Sequence, residues 1–177
     1  MYTDIEMHLP RPAMVEAVIA DYHNAGLTAT RAGSGASADC VLTDRFAIKI
    51  MDTRDWCSQY YDLCALHQNP HSPIVHDRVY GERTSIVILE KLYPAKLRDD
   101  EAWALSYYAG VGEVRDDDHA PEVLQPSMRR WLEIVLAERL RIRDSATDRV
   151  GFPSNDAHKG NWMRRMNGTL VLTDPWY

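Results

Sequence analysis

The chain has 177 residues, about 45% of them hydrophobic, enough for one domain or two small lobes around a real core. Its formal net charge of −6 argues against nucleic acid as a partner, because unsteered binding needs a basic face. No stretch approaches the roughly 20 apolar residues of a membrane span, and MYTDIEMHLPRP lacks the charged start and apolar run of a secretory leader. A complete, cytoplasmic reading frame with no membrane partner is expected. The three cysteines, Cys40, Cys57 and Cys64, contain no CxxC pair and read as reduced, buried thiols.

A helix is expected from Pro12 to Gly26, with Met14, Val15, Val18, Ile19 and Tyr22 at i, i+3, i+4 spacing. Leu27 to Gly33 then reads as a strand, residues 33 to 39 as a glycine-rich turn, and Cys40 to Thr43 as a second strand. After a turn at 43–45 a third strand, RFAIKI, alternates Phe46, Ile48 and Ile50 against Ala47 and Lys49. Such short connections force an antiparallel meander. Residues 53 to 68 read as a helix ended by Asn69-Pro70. Two more strands, 72–80 and 83–92, are joined at Gly81-Glu82. Leu92-Tyr93-Pro94 ends the sheet, and residues 99 to 108 read as a helix. Residues 115 to 121 form a charged loop. A long helix from 127 to 144 has the apolar stripe Met128, Trp131, Leu132, Val135, Leu136 and Leu140. The loop SNDAHKGN is followed by a hairpin, NWMRRM to TLVLT, turning at Asn167-Gly168. The expected division is a leading helix over 1–26, a sheet-bearing lobe over 27–92 and a helical lobe over 93–177.

Three groups of residues carry chemistry. A strand–Gly turn–strand at Gly33-Ser34-Gly35 can drape backbone N–H groups over phosphates, although a plain small-residue hairpin gives the same pattern. Lys49 sits mid-strand beside Ile48 and Ile50, a costly place for an ammonium without an anion nearby; a lysine snorkelling from a sheet edge is the alternative. Asp156 and Asn161 lie five residues apart on a tight loop, and Asp174 follows thirteen later at the far end of a hairpin. The hairpin returns the chain beside Asn161, so an amide oxygen and a carboxylate, both hard donors, are placed to suit Mg²⁺. Asp156 is then available as a base or hydroxyl-orienting group. Turn formation and capping would use the same residue types. Seven histidines occur without HExxH or similar spacing, which leaves a metal hydrolase unsupported.

Taken in order, RAGSGASADCV, FAIKI, SNDAHKGNWM and LVLTDP resemble the eukaryotic-like protein kinase superfamily. The D-x-H-x-x-N form, with His158, is most similar to the aminoglycoside, choline and RIO-type kinases. The resemblance covers nearly the whole chain from Leu27. It implies an α+β, protein-kinase-like two-lobe fold: a five-stranded antiparallel upper sheet with one helix, and a truncated helical lower lobe. It implies ATP and Mg²⁺ as cofactors. Gly33, Ser34 and Gly35 would cover the nucleotide phosphates and Lys49 would hold them. Glu90 to Tyr93, with Glu90 and Leu92 foremost, would meet adenine. Asp156 would be the catalytic aspartate, with Lys49 and Asn161 beside it in the reaction, and Asn161 and Asp174 would hold the metal. Lys49 and Asp174 would share one bound nucleotide.

Several positions depart from the pattern. Ala38 stands for the third loop glycine, Cys40 for the usual valine, Ser154-Asn155 for His-Arg, and Pro175 for the phenylalanine of DFG. The helix expected at 53–68 has no glutamate to pair with Lys49, and Asp62 is its best substitute. Only Pro175, Trp176 and Tyr177 follow the metal aspartate. Compact kinase-like proteins of this kind look like those of tailed bacteriophages, which suggests a host target. Two readings therefore stand: an ATP/Mg-dependent phosphotransferase acting on a protein or small-molecule hydroxyl, and an inactive kinase-like protein that modulates a partner by docking, either a host protein or a second copy as a homodimer. The second rests on the short tail and on Trp162, Trp176 and Tyr177 as exposed anchors.

Overall fold

The computed structural model describes residues 8–35, 38–53, 55–108, 124–145 and 159–176. The chain divides into two compact units, Met1–Ala65 with Ile74–Leu92, and Leu66–Pro73 with Tyr93–Tyr177. The fold is α+β, with a five-stranded antiparallel sheet and a helix between its third and fourth strands.

In the first unit, helix α1 (Arg11–Asn24) starts behind Pro10, with Pro12 in its first turn. It ends as the glycine predicts. Gly26 takes φ +74°, its N–H donates to His23 O at 2.9 Å, and the Leu27 N–H donates to Tyr22 O at 2.9 Å. Strands β1 (Ala29–Ser34), β2 (Ala38–Thr43), β3 (Phe46–Asp52), β4 (Val75–Tyr80) and β5 (Thr84–Glu90) lie in the order β1-β2-β3-β5-β4. Helix α2 (Trp56–His67) connects β3 towards β4. The period of two sends Val41, Ile48, Ile50 and Ile86 to one face, where α1 covers them with Met14, Val15, Val18 and Tyr22. The leading helix is thus part of the sheet's own core. Lys49 necessarily points to the opposite face.

The glycine turn is tighter than the expected 33–39. Ladder pairing continues through Gly33↔Cys40 and Ser34↔Asp39, with a bulge between Arg31 and Gly33. The Gly35 N–H then closes the turn on Ala38 O at 2.8 Å.

In the second unit, α3 (Asp99–Tyr108) begins with three acidic residues in its first turn, favourable to the helix dipole. Glu101 Oε2 accepts from the Arg98 N–H at 3.0 Å, half of a capping box. Along α4 (Pro126–Ser145) the buried positions are Met128, Trp131, Leu132, Val135 and Ile142, whereas Leu140 is exposed. The expected stripe is corrected there: 142 lies two full turns beyond 135, and 140 lies about 140° around the helix from it.

A short 3₁₀ turn, Lys159–Asn161, leads into β7 (Trp162–Arg164), which pairs with β6 (Tyr93–Pro94) and β8 (Leu170–Leu172). The β7–β8 connection is not a two-residue Asn-Gly turn. The Gly168 N–H donates to Arg165 O and the Arg165 N–H to Thr169 O, both at 2.9 Å, and Gly168 alone in the turn has positive φ, +87°. That is a three-residue loop closed by an αL glycine, in which Asn167 keeps an ordinary φ. Its Oδ1 accepts from the Thr169 N–H at 3.1 Å.

The segment Leu66–Pro73 belongs to this unit through buried His71. Nδ1 donates to Leu170 O at 2.8 Å, Nε2 meets Ser127 Oγ at 2.9 Å, and the backbone oxygen accepts from Leu172 N–H at 3.0 Å. Arg165 adds bonds to the carbonyls of Pro70 and Ser72.

The aromatic tail corrects one expectation. Trp162 is 2% and Trp176 1% exposed, so neither is a surface anchor. Trp162 falls on a strand position facing inward, and Trp176 is carried inward behind buried Pro175. Tyr177 lies outside the described residues, as does the loop at 115–121. Among the described residues no helix is long and apolar enough to cross a membrane.

Candidate functional site

Register assembles the first group. Gly33 pairs with Cys40, Cys40 with Lys49, and Lys49 with Val87, so the glycine and the lysine stand in one row across three strands. Neighbouring strands lie about 4.8 Å apart, which puts Gly33 and Lys49 about 10 Å apart along that row. Lys49 Nζ stands 5.3 Å from the ring centroid of Tyr61, a buried residue of α2. Cys40 is half-buried beside it. Burial pushes the Cys40 thiol up, and the Lys49 charge partly offsets that.

Asp62 faces elsewhere. Its carboxylate accepts from the Tyr80 hydroxyl and pairs with Arg78, both on β4, and β5 separates β4 from β3. At the end of β5, Glu90 is tied to Ile74: its N–H donates to Ile74 O at 3.0 Å and its Oε1 accepts from Ile74 N–H at 2.9 Å. Leu92 is buried at 8% exposure.

The glycine turn has a second support that the sequence concealed. Asp39, 2% exposed, ion-pairs with Arg31 at 2.6 Å and with Arg11 at 3.1 Å. Arg11, from the first turn of α1, also donates to Gly35 O at 3.3 Å. Burial alone would raise the Asp39 carboxyl. Hydrogen bonds from Arg31 and Ser34, with the charges of Arg31 and Arg11, outweigh it and hold the group below the usual carboxylate range. Arg11 and Asp39 lie 28 residues apart, and no motif links them.

The second group is on the other unit. Asn161 Nδ2 donates to Asp174 O at 2.6 Å, while the Thr173 N–H and hydroxyl donate to Asn161 O at 2.8 and 2.9 Å. The hairpin thus sets Asn161 and Asp174 side by side. The amide nitrogen of Asn161 is thereby anchored on the backbone of Asp174. Asp174 Oδ1 is shielded from solvent. Both side chains carry oxygen atoms of the hard type that suits a cation such as Mg²⁺, and the contact between the two residues runs from the amide nitrogen to the backbone carbonyl. Asp156 and His158 lie outside the described residues.

No protein-family model matches the sequence, and no curated protein matches it. A solved structure does. It is described as "Putative fructosamine-3-kinase" from Haemophilus somnus 129PT, with a TM-score of 0.41 and 14% identity over 92% of this chain and 72% of that one. Likeness at that level assigns no residue and no activity.

Two cavities lie within single units and away from these groups. One, of about 380 Å³, is lined in the second unit by His71, Arg98, Glu101, Arg164 and neighbours. The other, of about 460 Å³, lies in the first unit between the start of α1 and residues 82–83. Neither is lined by Gly33, Lys49, Asn161 or Asp174.

Proposed function

We propose that the chain is a phosphotransferase that uses ATP and Mg²⁺ to phosphorylate a hydroxyl of a protein or small molecule. The observation that carries this reading is the hairpin that brings Asn161 and Asp174, thirteen residues apart, into contact through the Asn161 amide nitrogen and the Asp174 backbone carbonyl, two residues whose side chains also carry hard oxygen donors. The row Gly33–Cys40–Lys49 supports it, because it supplies an approachable backbone and a cation for phosphate. Gly33, Ser34, Gly35 and Lys49 then hold the phosphates, Glu90 and Leu92 border adenine, and Asn161 and Asp174 hold Mg²⁺. Asp156 orients the acceptor hydroxyl and takes its proton. A metal held by Asn161 and Asp174 would supply charge neutralisation at the phosphates. What the protein itself contributes is mainly position and fixed charge. The docking reading has lost two of its stated anchors, since Trp162 and Trp176 are buried.

Calorimetry of ATP binding with and without Mg²⁺ tests the proposal. Binding strengthened by Mg²⁺ is expected, with the strengthening abolished in Asp174→Ala. Asp156→Ala should keep nucleotide binding and lose transfer. Absence of ATP binding in either condition refutes the reading.

A further inference from the structure

The resemblance calls for a glutamate on the helix before β4 to hold the lysine, and this chain has none there. α2 sends two adjacent residues in different directions. Asp62, half exposed, goes to Arg78 and Tyr80 on β4. Tyr61, 1% exposed, lies under the ammonium of Lys49 at 5.3 Å from its ring centroid. The ring is itself held: Tyr60, fully buried, meets it edge-on at 5.5 Å. A cation within about 6 Å of an aromatic centroid is drawn to the negative face of the ring, more strongly where water is excluded.

We propose that Tyr61 is the positioning residue of Lys49, holding its ammonium by a ring face where the resemblance calls for a carboxylate. The inference rests on the reading of Lys49 as a phosphate-holding group. A carboxylate both orients a lysine and competes with phosphate for its charge. An aromatic face orients the same ammonium without adding a negative charge beside the incoming phosphates.

The full chain is used, with ATP as the probe. Tyr61→Phe, which keeps the ring face, should bind ATP within about two-fold of the parent. Tyr61→Leu should bind roughly ten-fold more weakly. Asp62→Asn should leave binding unchanged. Should Tyr61→Leu fail to fold, ring fluorines added to Tyr61→Phe keep the shape while draining the π face, and binding should fall with each fluorine. A second readout does not depend on nucleotide: the Lys49 ε-methylene signals should show a ring-current shift in the parent and in Tyr61→Phe. Weakening by Lys49→Met with none from Tyr61→Leu or from fluorination overturns the positioning role. So does a Lys49 signal without a ring-current shift. If Lys49→Met itself leaves ATP binding unchanged, the phosphate reading fails and the ring-current result alone decides where the ammonium rests.

Discussion

Asp39→Asn isolates the charge that holds the glycine turn. The substitution keeps the shape of a side chain that is 2% exposed but removes the charge from contacts to Arg31 at 2.6 Å and Arg11 at 3.1 Å. Hydrogen bonds to charged groups contribute about 1.5–3 kcal/mol each, against about 0.5–1.5 for neutral ones. The difference is about 1 kcal/mol per contact. Arg31 is 43% exposed and regains water, which trims its share. The amide's NH₂ must also face a guanidinium at one contact, which restores part of the loss. The net expectation is about 2 kcal/mol, or roughly 4–8 °C in the melting temperature of a chain this size.

The sign with pH follows from the lowered carboxyl. A depressed acid stabilises the fold above its unfolded value, near pH 4, and loses that contribution as pH falls through the folded value. The gap between parent and Asp39→Asn should therefore be full at pH 6–7 and close on acidification below about pH 4. Thermal melts followed by circular dichroism across that range read it directly. A variant melting within about 1 °C of the parent at neutral pH, or a gap that has not narrowed at all by pH 3, refutes the reasoning.

Three further outcomes are expected. His71 is held neutral in the fold, chiefly by burial with the Arg165 charge adding to it and against the Leu170 carbonyl, so its pKa is lowered. Its contribution should be present above about pH 6.5 and fade as pH falls below that, and His71→Gln should flatten the parent's stability profile between pH 7 and 5, read by urea melts. Gly168→Ala forces a side chain onto φ +87° and should cost about 1–2 kcal/mol in the same melts, whereas a neutral result would mean the loop relaxes to another turn. Gly33→Ala should leave stability within about 0.5 kcal/mol, since no atom lies within 4 Å of the added carbon, while weakening ATP binding in calorimetry.

Local chemistry made most of the fold readable. Gly26 ends α1 because only a residue at ease with positive φ closes that helix, and the alternation in RFAIKI by itself puts Lys49 opposite Ile48 and Ile50. Asn161 and Asp174 could be paired on paper because a hairpin returns its ends to one place, even though the loop closes differently from the expected turn. What stayed hidden depends on packing between distant segments. Nothing in sequence spacing tells that Arg11 reaches Asp39, that Tyr61 rather than its acidic neighbour meets Lys49, or that Trp176 turns inward. An aromatic near a chain end reads as exposed until its burial is seen.

Gly26, Gly33, Gly35 and Gly168 divide along the same line, and the division bears on what the turn is for. Gly26 and Gly168 sit at positive φ, where a side chain is strained, so the fold itself explains them. Gly33 has ordinary φ and open space where a Cβ would stand, and Gly35 has ordinary φ with only Ala38 O at 3.4 Å. Strand glycines cost roughly 0.5–1 kcal/mol relative to alanine, and at Gly33 the bulge after Arg31 offsets part of that cost. The bare backbone there also leaves room for something from outside to come close to it. On the proposed reading, that open space and the Lys49 ammonium on the same sheet row would serve one anion.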